Sequence, residues 1–273
     1  MDTTSANDAN DGSLEAEALS AILMADDVSG SLWSAVDSGR IDVLVPELPA
    51  LRMEQDPIHR HKDVLSHTIA VVAKTPDDVI VRLAALFHDI AKPRTRSFEH
   101  GGVTFRHHEV VGSRMTRKRM TALGYEPEVV EEVTELVRLS GRFKGYADGW
   151  SDSAVRRYAR DAGPLLGRLN ALIRSDCTTR NKQKAADLQL SIDDLERRIA
   201  DLAEEERRAA ERPQIDGQAV MAHLGTDGGR HVGDILKMLL GVKRSEGELS
   251  DAELYERVDQ WWAENESNYP PRS

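Results

Sequence analysis

The stretch RLAALFHDIAKP, Arg82 to Pro93, runs apolar through a helical pattern and then sets a histidine beside an aspartate, His88 and Asp89, just before a proline. Two further polar residues sit on apolar stripes elsewhere. Val64, His67 and Val71 are spaced i, i+3, i+7, and Leu169, Leu172 or Ile173, and Asp176 follow the same period, which predicts helices with a histidine or a carboxylate on the buried face. A carboxylate turned into a core loses hydration and needs a cation, a metal or several hydrogen bonds beside it. His67, His88, Asp89 and Asp176 together therefore read as a metal site, with an imidazole and carboxylate set that suits Zn, Mn, Fe or Ni.

Working outward, the pattern stays helical. Helices are expected at 62–74, 77–91, 107–123, 127–140, 151–161 and 164–185, with Gly, Pro or Asp at most junctions, and RTRSFEHGGVTF (Arg94–Phe105) reads as a short hairpin or ordered loop. From Leu188 through Ile192, Leu195 and Ile199 to Leu202 the spacing is three or four, so residues 185–213 predict one long amphipathic helix ending at Pro213. A small helical unit from Ile215 to about Glu264 closes the pattern and carries the turn TDGGRHVG. The fold class expected is all-α: a helical array, a long amphipathic helix and a small helical tail. The divisions expected are a disordered leader over 1–13, amino-terminal helices over 14–49, a metal-binding domain over 50–185 and a carboxyl-terminal extension over 186–273.

At 273 residues the chain is long enough for a proper core. Charged residues make up 30% and aromatics 5%, which favours helix over sheet, and the net charge of -11 argues against nonspecific nucleic-acid binding by the molecule as a whole. Basic residues nevertheless cluster. Arg114, Arg117, Lys118 and Arg119 form one group, and Arg156, Arg157, Arg160, Arg174, Arg180, Lys182 and Lys184 a second. Of the second, Arg156, Arg157, Arg160, Arg180 and Lys182 are the candidates for contacting an RNA backbone. Cys177 is the only cysteine, so no disulfide holds the monomer together. With an acidic, polar start (MDTTSANDANDGS) and no run of ~18 apolar residues, a cytoplasmic protein with no membrane span is expected.

The segments HRHKDVLSHTIAVV (from His59), RLAALFHDIAKP, FRHHEVVGSRM (from Phe105) and RSDCTTRNK (from Arg174) resemble, in order and helical placement, the HD superfamily of metal-dependent phosphohydrolases. The resemblance extends from about Val45 to Trp262. Over PELPALRMEQD, HHEVVGSRMTRKRM and DSAVRRYARDAGPLLGRLNALIRSDCTTRNKQKA the chain is similar to the carboxyl-terminal portion of bacterial CCA-adding tRNA nucleotidyltransferases of the actinobacterial kind. No glycine-glycine strand-turn, paired catalytic aspartates or templating Arg-Asp region precedes Val45, so nucleotide addition by this chain alone is not expected. A freestanding HD body with an RNA-facing tail and a separated half of a larger enzyme both fit.

The resemblance implies His67, His88, Asp89 and Asp176 as ligands of a divalent ion (Mn, Ni, Co, Mg, Fe or Zn), with Asp89, Lys92 and His108 as the catalytic group. Lys92 would meet a phosphate as a point charge, and His108 would be a second-metal ligand or a general acid. His107 beside it must point elsewhere, and His61 and Asp63 either line the pocket or face solvent. Where the related enzymes carry a histidine before an Arg-Phe pair, this chain has Ser140, in VRLSGRFKGY. That departure implies a mononuclear site, weak catalysis, or a site kept only as structure. The expected activity is hydrolysis of a nucleotide or RNA-end phosphoester. The alternative is a tRNA-binding body without chemistry, partnered by a separate nucleotidyltransferase head.

Overall fold

The computed structural model describes residues 4–54, 63–99, 102–179 and 181–269, and the chain divides into two compact units after Ala200. The first unit opens with α1 (Thr4–Leu23), α2 (Val28–Asp37) and α3 (Arg40–Leu44), followed by a 3-10 turn at Leu48–Leu51 that carries Pro49 at its start, where the missing N–H costs nothing. Next come α4 (Val64–Val72), α5 (Val79–Phe87) and the single turn α6 (Lys92–Thr95). Strands β1 (Arg96–Glu99) and β2 (Gly102–Phe105) then pair antiparallel, Arg96 opposite Phe105, where the sequence left a short hairpin or an ordered loop open. Helices α7 (His108–Ala122), α8 (Pro127–Leu139), α9 (Asp152–Ala162) and α10 (Leu166–Asp176) complete the array, and α11 (Lys182–Ala210) runs 29 residues through the unit boundary.

Helix α5 is the centre of this unit. Val81, Leu83, Ala84, Ala85, Leu86 and Phe87 are all fully buried, because α5 is apolar except at Arg82 and packs against α4, α8 and α10. Its start is fixed by Asp78, whose Oδ1 accepts from the Ile80 and Val81 amides at 2.8 and 3.2 Å while its Oδ2 takes Arg168 Nε of α10 at 2.9 Å. One carboxylate thus caps the helix and sets its neighbour. Asp63 caps α4 in the same way, accepting from the Ser66 amide at 2.6 Å.

The second unit holds α12 (Gly217–Leu224), α13 (Arg230–Glu246) and α14 (Asp251–Asn265) around Val220, Val232, Ile235, Leu239, Leu254 and Val258. Ser250 and Glu253 close a reciprocal capping box on α14.

Five boundaries differ from expectation. The backbone is helical from Thr4, where a disordered leader was expected to residue 13, because extending a helix nucleated by the buried Leu19 and Leu23 costs little per residue. Helices α1 to α3 share a compact unit with α4 to α10, and that unit ends at residue 200 instead of 185 because α11 is continuous there. The helix expected over 77–91 ends at Phe87, and His88 to Ala91 form a tighter turn in which the Ile90 and Lys92 amides bond to Phe87 and Asp89 carbonyls at 3.1 and 2.9 Å. The helix expected over 164–185 breaks after Asp176, where Cys177 turns extended.

Candidate metal centre

Helix α4, the turn after α5 and the last residue of α10 bring His67, His88, Asp89 and Asp176 together. His67 Nε2 lies 3.0 Å from Asp176 Oδ1 and 3.6 Å from Asp89 Oδ2; His88 Nε2 lies 3.2 Å from Asp89 Oδ2 and 3.6 Å from Asp176 Oδ1. Donor atoms on a tetrahedral ion with bonds of ~2.1 Å stand about 3.4 Å apart, so this spacing suits a single cation in the middle. Each imidazole is aimed by its other nitrogen: His67 Nδ1 bonds Thr178 Oγ1 at 2.9 Å, and His88 Nδ1 donates to the Ala85 carbonyl at 2.7 Å. The end of α10 at Cys177 is what brings Thr178 back to His67. Nε2 of His88 is buried and, despite its nearness to Asp89, forms no hydrogen bond. A buried nitrogen without a partner, facing carboxylates, fits a bound cation, and His67, His88 and Asp89 all offer a ligand atom within 4.8 Å of one another.

The electrostatics agree. Burial alone would lower His88, but the Asp89 carboxylate, with Asp176, outweighs it and pushes the imidazole up to about 10. Burial would likewise raise Asp89 and Asp176. The histidines, and for Asp89 also the Lys92 ammonium, reverse that and hold both acids well below the usual carboxylate range. Asp176 is the open side of the site, its side chain 48% exposed against 3% for Asp89.

The family model described as HD domain matches residues 63–223. The chain belongs to the HD-domain family. It is 30% identical over 256 residues to the A-adding tRNA nucleotidyltransferase of Deinococcus radiodurans, covering 90% of this chain and 57% of that protein. It is 33% identical over 226 residues to the CC-adding tRNA nucleotidyltransferase of Thermus thermophilus, covering 79% of this chain and 48% of that protein. The chain thus spans about half the length of these relatives.

Around the four converging residues of this HD domain, the remaining candidates divide. Lys92 is buried and its Nζ sits on Asp89 Oδ2 at 2.7 Å, backed by the Phe105 ring at 5.5 Å, so its charge is directed to the carboxylate. His108 faces the other oxygen of Asp89, its Nε2 3.5 Å from Oδ1, while Nδ1 donates to the Phe105 carbonyl at 2.8 Å. His107 takes a left-handed conformation (φ 61°) at the entry to α7, which turns His108 inward and leaves His107 exposed. Ser140 ends α8 and donates to the Val137 carbonyl at 2.9 Å. Neither Glu109 nor Lys144 was singled out by the sequence. Glu109 Oε2 lies 3.4 Å from His108 Nδ1 and its Oε1 takes Lys144 Nζ at 2.8 Å, a link between residues 35 apart that no local pattern signals.

Of the basic candidates, Arg157 and Arg160 are exposed on α9, Arg156 is half-buried, and Lys182 is exposed at the start of α11. Arg174, counted among them, is held by Gln189, Asp193 and Glu196 of α11 at 3.1, 2.6 and 2.7 Å. Arg119 is likewise held by both oxygens of Glu47. Arg180 and His61 lie outside the described residues.

Proposed function

We propose that the chain is an HD-type metal-dependent phosphohydrolase acting on a phosphoester of a nucleotide or an RNA end, with His67, His88, Asp89 and Asp176 as ligands of one divalent ion. The observation that carries this reading is the convergence of the buried His67 and His88 Nε2 atoms on the carboxylates of Asp89 and Asp176. A divalent ion held there (Mn, Ni, Co, Mg, Fe or Zn) supplies a lowered pKa for water and a Lewis-acid contact for a phosphoryl oxygen. Lys92 keeps Asp89 ionised and oriented. Burial lowers His108, so near pH 7 it is neutral; with Nδ1 donating to Phe105, its Nε2 carries a lone pair beside Asp89. That suits accepting a proton or holding a second ion better than donating as a general acid. The half-exposed Asp176 gives the side from which a phosphoester reaches the centre.

Protein freed of contaminating phosphatases should hydrolyse a phosphoester from a nucleotide and RNA-end panel when Mn, Ni, Co or Mg is added, and Asp89→Ala should abolish that activity. Hydrolysis undiminished in the variant overturns the assignment.

A second reading rests on the similarity to tRNA nucleotidyltransferases, which covers 90% of this chain in one case. In it the chain is a tRNA-binding body that works with a separately encoded nucleotidyltransferase head and has no hydrolytic chemistry. Retention of tRNA at low salt by protein inactive on every phosphoester favours this reading; absence of binding with and without a candidate head removes it. In either reading we place the chain in the cytoplasm: no helix among the described residues is long and apolar enough to cross a membrane, and the single cysteine suits a reducing compartment.

A further inference from the structure

A cavity of about 320 Å³, lined by none of the four converging residues, opens between the end of α8, the loop after it, α9 and α10. Its floor is apolar, made by the buried Leu139 and Leu169. One wall is aromatic. Trp150 and Tyr158 line it with ring centroids 5.6 Å apart, and both rings are held from behind. Tyr146 meets Trp150 edge-on at 5.3 Å, Arg198 Nη2 donates to the Trp150 carbonyl at 2.9 Å, and the Tyr158 hydroxyl donates to Asn170 Oδ1 at 2.7 Å. The polar end of Tyr158 is therefore already satisfied.

The rim is cationic. Arg142, Lys144 and Arg157 line the cavity against one carboxylate, Asp161, in a chain whose net charge is -11. Arg142 is paired with Asp161 at 3.1 Å and Lys144 with Glu109 at 2.8 Å. Arg157 is exposed and makes no ion pair or hydrogen bond among the described residues. A preformed aromatic wall takes a flat ring, and a free guanidinium takes a phosphate in bidentate geometry. The volume falls at the small end of the ~300–1,000 Å³ typical of ligand pockets, which suits one nucleotide unit.

We propose that this cavity is a ligand site separate from the metal centre, taking a single nucleotide with its base against Trp150 and its phosphate on Arg157. The chemistry is shared by a free mononucleotide and by the terminal nucleotide of an RNA. The inference stands on its own lining, whether or not the metal centre hydrolyses phosphoesters.

The test uses the full chain carrying Asp89→Ala, so that loss of the metal reading and loss of this one are separable. Calorimetry and tryptophan fluorescence are followed with AMP, CMP, adenosine, inorganic phosphate and a short single-stranded RNA. AMP or CMP should bind and quench fluorescence, at least tenfold more tightly than either adenosine or phosphate. Arg157→Ala should weaken binding at least tenfold, while Arg40→Ala, an exposed arginine of α3 off this cavity, should leave it unchanged. Trp150→Leu should remove the quench; if circular dichroism shows that variant unfolded, the Arg157 and Arg40 comparison decides. RNA that displaces AMP and binds more tightly identifies an RNA end as the source, and RNA that does not identifies the free nucleotide. Absence of mononucleotide binding, phosphate binding as tightly as AMP, or equal weakening by the two arginine variants overturns the proposal.

Discussion

Asp89 uses both of its oxygens, Oδ2 toward His67, His88 and Lys92 and Oδ1 toward His108. In the metal-free protein the two charged states support each other. The stability from His88 is fully present below the ordinary imidazole value of 6.5 and is lost as pH rises through about 10. That from Asp89 is present above the ordinary carboxylate value of 3.8 and is lost as pH falls through its depressed one. Metal-free protein should therefore be most stable between these two ordinary values and weaken on both sides. A cation must displace the His88 proton, so apparent metal affinity should rise with pH from 6 to 9, with roughly one proton released per ion near pH 7. Calorimetry in two buffers of different ionisation enthalpy reads this directly, and a binding enthalpy independent of buffer contradicts it. At this scale the sequence was most legible where chemistry is local: His67, His88, Asp89 and Asp176 converge as their helical stripes suggested. It was least legible where a residue's partner is remote. Glu109 receives its cation from Lys144 across the fold, and Arg174, which looked like part of an RNA-facing group, is anchored to α11.

Apolar spacing located nearly every helix, because each has one face or all faces in the core. The ends were harder. Asp176-Cys177-Thr178-Thr179 contains no glycine or proline, so nothing local announces that α10 stops; the stop is tertiary, made where Thr178 reaches His67. The turn at His88 is similarly hidden inside an apolar run. For α11, packing and charge predict different costs. Leu195 is fully buried, so Leu195→Ala should lower stability by about 2–5 kcal/mol. Arg174→Ala removes hydrogen bonds to Asp193 and Glu196, whose side chains are 59% and 44% exposed, and should cost no more than about 1 kcal/mol. Urea denaturation of the two variants separates these magnitudes, and an arginine variant weaker than the leucine variant contradicts the packing account.

The chain comprises two units, and the four candidate metal ligands all lie in the first. Ile235 is fully buried in the second, so Ile235→Ala should destabilise that unit by about 2–5 kcal/mol and leave metal content unchanged; calorimetric unfolding with elemental analysis checks both. Loss of metal in that variant contradicts the assignment of the site to the first unit alone. The all-α class followed from composition and periodicity, whereas the division after Ala200 did not, since α11 continues through it without a break in pattern. The central claim is that His67, His88, Asp89 and Asp176 form a cation site. The most direct test is elemental analysis of protein purified without chelators or metal-affinity resin, comparing the native chain with Asp89→Ala and Asp89→Asn. The asparagine variant keeps the side chain's shape should alanine leave Lys92 too poorly paired to fold. Stoichiometric divalent metal in the native chain that disappears from the folded variants is the predicted result; no metal even after reconstitution, or equal metal in all three, contradicts it.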